Sequence, residues 1–387
     1  MENFIFENPT KIIFGKGQIP QIGTEVRRFG GKALLVYGMG SILKNGVHAQ
    51  VVSSLSAAGV AYVELPGIKS NPLLSQVLAG IELARKEKVE VILAVGGGSV
   101  IDTAKAIAAG ILVDHDIWDF FRRHRTIEGA LPVLTVVTIS ASASEMNTAA
   151  VITKDESCHK FSINSPFLRP RVSVLDPTVL FSISPAYSAY SAVDIVTHML
   201  EGYFNNTASS SSLQDRLMEG LIKTAMESTD AVLKEPENYD ARANIMWAST
   251  LAFNGLTAAG LGIVQLPVHM IEHSLSALYD IAHGAGLSIV LPAWMTSVID
   301  EKGSRLGHLG RRVFDVQAKD DKRAAEECIA AFKAWFTAIG SPVSLKQAFI
   351  PETDIEAITE NAYALAQVWG LTSYSRERIA QILHYAC

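Results

Sequence analysis

Apolar and polar positions follow two different periods along this chain. Up to about residue 180, short runs rich in β-branched residues alternate with longer segments whose apolar positions recur at helical spacing. KALLVYGMG, GVAYVELPG, VEVILAVGGG and LPVLTVV predict buried strands, and VHAQVVSSLSAAG, LLSQVLAGIELARKEK and VIDTAKAIAAG predict helices between them. Such alternation implies βαβ units, a parallel sheet flanked by helices, and ligands at the carboxyl ends of the strands. RVSVLDPTVLFSISP holds one strand-like run followed by Asp-Pro and Ser-Pro turn signals, and reads as a connection. After Ser184 helical periodicity dominates, through LQDRLMEGLIKTAMESTDAVL, ARANIMWASTLAFNGLTAAG, the stretch 265–286, RAAEECIAAFKAWFTAIG and RERIAQILHYAC. The expected architecture is an α/β N-terminal domain over 1–184 and an all-α C-terminal domain over 185–387. The serine run at 209–212 reads as a loop.

Composition narrows the classes of partner. The 387 residues, 49% of them hydrophobic, are enough for two cores. A net charge of −6 with a pI near 5.9 argues against nucleic acid or an anionic membrane surface as the principal partner. The basic run Arg122, Arg123, His124, Arg125 reads as a solvated loop. Cys158, Cys328 and Cys387 form no C-x-x-C spacing and fit a reducing cytoplasm. The opening MENFIFENPTKIIFGKG lacks the pattern of a signal peptide, and every apolar run is broken too soon to cross a bilayer.

Two glycine-rich turns fall where the sheet would bind a ligand. Gly38-Met39-Gly40-Ser41 follows the first strand, with the next helix beginning near Val47. Gly96-Gly97-Gly98-Ser99 follows VILAV and opens the helix that carries Asp102 and Lys105. Glycines there let a pyrophosphate approach the backbone, and the helix N-terminus offers N–H groups and a partial positive charge. The spacing is neither G-x-G-x-x-G nor a P-loop, and by itself it suits a structural turn equally well.

The second half carries the histidines. His269 and His273 stand at i,i+4 in QLPVHMIEHSLSALYDIAHGAG, so one helix face presents both. His283 follows just before Gly284 and Gly286, where that helix is expected to have ended. SAVDIVTHMLEGYF offers Asp194 and His198, again at i,i+4. Together the two segments can bring one carboxylate and up to three imidazoles to a point, a ligand set for Fe(II) or Zn(II).

D-x-x-x-H, then H-x-x-x-H, then H-G resembles the metal site of the iron-containing, or group III, alcohol dehydrogenases. The resemblance implies Asp194, His198, His269 and His283 as ligands of one divalent metal, with His273 left free in the active site. G-G-G-S-x-x-D-x-x-K is likewise similar to that family's cofactor-diphosphate motif. It implies dinucleotide contacts from Gly97, Gly98, Ser99 and Asp102, joined by Asn71, Thr138, Ser142, Ser144, Lys160 and Val179. Where the family commonly reads A-T-G-S-E, this chain has Ala141-Ser142-Ala143-Ser144-Glu145, so a Cβ stands at Ala143 where the family has glycine.

The implied architecture is dehydroquinate-synthase-like, a Rossmann-like sheet domain before a helical one, with the active site expected between them. The implied activity is hydride transfer between NAD(P)H and a small aliphatic aldehyde or alcohol, as in the butanol-dehydrogenase-like branch. His273 is the expected relay for the alcohol proton. Strand KALLVY ends at Gly38 with no acidic residue near, and Gly38, Gly40, Ser41 and Lys44 leave room and charge for a 2′-phosphate, so NADPH is expected over NADH. A homodimer is expected from the family. The competing reading is an NAD- and metal-dependent cyclase or lyase of the same architecture. Such an enzyme grips a phosphorylated polyol, yet AVDIVTHMLEGYF and VQLPVHMIEHSLSALYDIAHGAG contain no Lys or Arg.

Overall fold

A computed structural model describes residues 1–208 and 211–387. The chain forms two compact units: Glu7–Ile183 with Glu237–Asn254, and Ser184–Pro236 with Gly255–Cys387 and Met1–Phe6. Neither unit is continuous in sequence.

The first unit holds eight strands: β1 (Lys11–Phe14), β2 (Lys32–Gly38), β3 (Ala61–Ile68), β4 (Val91–Gly96), β5 (Val133–Val137), β6 (Ala149–Lys154), β7 (His159–Asn164) and β8 (Val172–Leu175). Six make one sheet in the order β1-β8-β5-β4-β2-β3, parallel at every pairing. Its central strands are apolar on both faces. In β2, Ala33, Leu34, Leu35 and Val36 are fully buried, and so are Val91, Ile92, Leu93, Ala94 and Val95 of β4. That is the composition of a sheet covered on both sides. Strand β2 has β3 on one flank and β4 on the other, so the chain reverses its direction of travel across the sheet there. Ligands of open α/β sheets bind beside such a reversal.

The expected strands are all present, and the structure adds others. β8 lies within the stretch read as a connection, and it pairs with both β1 and β5. The Asp-Pro signal that argued for a loop acts one residue later, where Asp176 caps the 3-10 helix Pro177–Ser182. β6 and β7 form a separate antiparallel hairpin. Helix Tyr239–Ala252 belongs to the sheet unit although its sequence reads with the helical half. Its Thr250 hydroxyl donates to the buried Glu145 carboxylate, 2.6 Å away.

The second unit is helical. Helix Pro185–Phe204 has Ser184 as its N-cap, accepting from Tyr187 N, and Pro185 in its first turn. From Ser191 to Phe204 every residue is buried, as expected of a helix surrounded by others. Helices Pro267–Tyr279 and His283–Ser297 pack on it and on each other. The first of these stops where Asp280 turns left-handed at φ 51°, and the second starts three residues on. Of the serine run, Ser209 and Ser210 lie outside the described residues, while Ser212 opens helix Ser212–Lys234.

Candidate metal centre and dinucleotide site

Asp194 is the centre of the helical unit's polar cluster. Its Oδ1 lies 3.2 Å from His198 Nδ1, 3.4 Å from His269 Nε2 and 3.8 Å from His283 Nε2. Asp194, His198 and His269 come from two buried helices, and their side chains are 5–6% exposed, whereas that of His283 is 27% exposed. The cluster is therefore sealed on three sides and open at His283. His283 is the first residue of its helix, and that helix approaches closely because Gly284 has no side chain. A Cβ on Gly284 would stand 2.1 Å from the Tyr190 carbonyl oxygen.

Two carboxylates that sequence spacing did not single out complete the arrangement. Glu201 hydrogen-bonds His269 Nδ1, and its other oxygen accepts from Val268 N at 2.6 Å in the first turn of helix Pro267–Tyr279. Glu272 pairs with His283 Nδ1 and accepts from the Ser276 hydroxyl. Each carboxylate engages the outer nitrogen of its ring, leaving Nε2 directed at Asp194. Carboxylate-anchored imidazoles are the usual supports of a metal site, because they fix tautomer and ring orientation together.

The electrostatics are those of a cation site. Burial pushes the Asp194 carboxyl up, but facing His198, His269 and His283 outweigh it and hold it below the ordinary range. Burial lowers His198, to about 3, so its imidazole is neutral and able to coordinate. His269 suffers the same burial, yet Glu201 and Asp194 raise it to about 10, so a metal binding at its Nε2 takes the place of a proton there. One carboxylate oxygen and imidazole nitrogens, converging in a buried space with carboxylates against the outer nitrogens of His269 and His283, fit a divalent Fe or Zn ion. His273 stands beside this set. It is buried, its ring centroid 5.7 Å from that of His283 and 5.5 Å from that of Trp369.

Of the expected dinucleotide contacts, Gly38, Gly97 and Thr138 lie at the carboxyl ends of β2, β4 and β5, whereas Asn71 follows β3, Lys160 lies within β7 and Val179 follows β8. Gly38 ends β2; Gly40, with φ 106°, precedes a four-residue helix opened by Ser41, earlier than the sequence suggested. Gly97 precedes helix Gly98–Gly110, whose N-terminus has no side-chain cap. A Cβ on Gly98 would come within 2.3 Å of Ser142 Oγ, so this turn and the 142–145 loop lie against each other. Ser99 donates to the Ser70 carbonyl, and Thr138 N follows β5 with a bond to Gly96 O at 3.0 Å. Asn71 accepts from Lys160 Nζ at 3.0 Å, and Val179 is buried in the 3-10 helix Pro177–Ser182.

Asp102 accepts from Ser144 Oγ at 2.5 Å and from Val151 N at 3.0 Å, tying the glycine-turn helix to that loop and to β6. Lys105 is fully buried, its ammonium donating to Asn147 Oδ1 at 2.9 Å and Ala149 O at 2.7 Å. Ala143 has φ 53°, the left-handed conformation that glycine adopts without strain, so the loop keeps its turn at the expense of a crowded Cβ.

A parallel sheet with glycine turns beside its reversal, and a carboxylate–imidazole centre among helices, together define a metal-dependent nicotinamide oxidoreductase. The chain belongs to the iron-containing alcohol dehydrogenase family. Residues 9–177 match that family's description, and residues 188–387 match its C-terminal region, described as Fe-containing alcohol dehydrogenase family, C-terminal. A probable NADH-dependent butanol dehydrogenase 2 of Bacillus subtilis is 42% identical over 378 residues, 97% of this chain and 96% of that one. The NADPH-dependent aldehyde reductase YqhD of Escherichia coli is 36% identical over 361 residues, 92% of each. Among solved structures, an NADH-dependent butanol dehydrogenase A from Thermotoga maritima superposes with a TM-score of 0.97 at 46% identity, covering 100% of this chain and 99% of that one. A metal at the buried Asp194, His198 and His269 site and an NAD(P)H cofactor belong to this assignment. Among the described residues no helix is long and apolar enough to cross a membrane.

Proposed function

We propose that this enzyme reduces small aliphatic aldehydes to alcohols, reversibly, with a metal held by Asp194, His198, His269 and His283. The observation that carries the ligand set is the placing of one Asp194 oxygen within 3.8 Å of ring nitrogens from all three histidines. When bound, the nicotinamide supplies the hydride and the metal polarises the substrate oxygen. Glu201 and Glu272 hold the rings of His269 and His283 in place by their outer nitrogens. His273 carries the proton between the alcohol oxygen and solvent, a role for which an imidazole beside partly exposed His283 is suited. The dinucleotide contacts in this reading are the residues expected from the sequence, from Gly38 to Val179.

NADPH is the preferred cofactor in this reading. Near the end of β2, Glu64 on the neighbouring strand is already engaged, accepting from Tyr37 at 2.6 Å and pairing with His48, which disfavours its holding a ribose hydroxyl. Relatives of both cofactor types exist. Two copies associate as a homodimer, for which the edge strand β1 offers unshared backbone groups. Among the described residues Cys158, Cys328 and Cys387 form no disulfide, which supports a cytoplasmic location.

The test is loss of nicotinamide absorbance with butanal, with NADPH and NADH compared at one pH and salt concentration. Turnover with a higher kcat/KM for NADPH is expected. Silence with either cofactor would overturn the activity, and equal or better efficiency with NADH would overturn the preference.

A further inference from the structure

Outside the centre already described, Glu352, His384 and Cys387 bring a carboxylate oxygen, an imidazole nitrogen and a thiol sulfur within 4.8 Å of one another. Two elements supply them. Glu352 opens the 3-10 helix Glu352–Asp354, which leads into helix Ile355–Trp369; His384 closes helix Arg376–His384, and Cys387 follows one turn later.

All three side chains are exposed, but their backbones are fixed. Ile355, Ile379, Ile382 and Leu383 are buried, Ser375 caps the second helix, and Leu345 N donates to Ala386 O at 2.7 Å. His384 Nδ1 and Glu352 Oε1 are 3.8 Å apart. That is too long for a hydrogen bond. It is close to the roughly 3.4 Å between two ligands that each sit about 2.1 Å from one tetrahedral ion.

The surroundings favour a cation. Glu352 and His384 open on a surface hollow of about 460 Å³ that Glu356, Glu360 and Glu377 also line. The one arginine there, Arg376, is bound to Glu360 at 2.5 Å.

We propose that Glu352, His384 and Cys387 form a second metal site, for Zn(II). Mixed oxygen, nitrogen and sulfur donors suit that borderline-soft ion, whereas Mg(II) and Ca(II) take oxygen alone. On binding, the Cys387 thiol loses its proton to solvent, His384 coordinates through Nδ1, and water completes the tetrahedron. The ion ties the end of helix Arg376–His384 to the turn before helix Ile355–Trp369.

Cadmium(II) is the probe, titrated into tag-free protein already carrying its catalytic metal and followed by the ultraviolet charge-transfer band of a cadmium thiolate. The catalytic centre has no sulfur donor, so cadmium there is silent. A band saturating at one equivalent is expected, abolished by Cys387→Ser, shifted to at least about tenfold weaker binding by His384→Gln and by Glu352→Gln, and displaced by Zn(II). Absence of the band overturns the proposal, as does its survival in Cys387→Ser. Binding insensitive to His384→Gln or to Glu352→Gln, or resistant to Zn(II), reduces the feature to a reactive thiol and equally overturns it. Since all three positions are on the surface, these variants are expected to fold.

Discussion

Glu201 holds His269 across two helices: its carboxylate engages the outer ring nitrogen while accepting from the backbone of Val268. One side chain thereby satisfies an orphan N–H of a helix start and sets the tautomer of a ligand. Glu201→Gln keeps the shape but replaces the charged acceptor with an amide. The expected result is a metal dissociation constant raised by about 10- to 100-fold with the fold intact, read by competition with a chelator. Unchanged metal affinity would remove Glu201 from the site.

His273→Ala separates proton transfer from metal binding. The variant should retain its metal, because the proposed set of Asp194, His198, His269 and His283 already supplies four protein ligands, while turnover falls or its pH profile shifts. Elemental analysis alongside a pH–rate profile reads both. Loss of the metal would make His273 a ligand and contradict the assignment.

Ala143 occupies a left-handed conformation at φ 53° while fully buried. Its turn is fixed by bonds from Met146 N and Asn147 N to its carbonyl, so the chain cannot relax out of it. Ala143→Gly relieves a conformational cost of about 1–2 kcal/mol, part of which glycine returns through its greater freedom when unfolded. A net gain of up to about 1 kcal/mol is expected, seen as a small rise in thermal midpoint. A fall would mean that the Cβ contributes more by packing than it costs in strain.

Lys105 gives a pH test. Burial lowers its ammonium to about 8, against 10.5 for a free lysine. Between those values the unfolded chain binds the proton and the folded chain does not, so Lys105 adds stability as pH rises through that window. Below about pH 8 both states are protonated and the burial penalty is felt in full. The stability of the parent minus that of Lys105→Met should therefore climb between pH 8 and 10.5, by at most about 3 kcal/mol. Denaturant titrations at several pH values would show it, and a flat difference would contradict it.

Much of this was legible in the chain because helical spacing is a local property. Asp194 with His198, and His269 with His273, lie one turn apart, and the strands KALLVY and VILAV are long, apolar and bounded by glycine. Glu201 and Glu272 were not legible as site residues, although each follows a histidine by three positions. A glutamate on an amphipathic helix reads as solvent-facing until tertiary packing surrounds it. β1 has only four residues, and β8 is followed at once by Asp-Pro, so neither carries enough pattern to outweigh its flanking turn signals. Helix Tyr239–Ala252 shows the other limit: periodicity predicts that it is a helix, but only the Thr250–Glu145 bond and its neighbours show which core it joins.

The central claim is that Asp194 and the histidines around it hold one catalytic divalent ion. It is tested most directly by the metal content of Asp194→Asn, purified beside the parent with its helicity checked by circular dichroism. The substitution preserves size and removes the charge that faces all three rings. The parent should carry one ion per chain, and the variant should lose nearly all of it together with its turnover. An Asp194→Asn protein with a full complement of metal and undiminished aldehyde reduction would contradict the account.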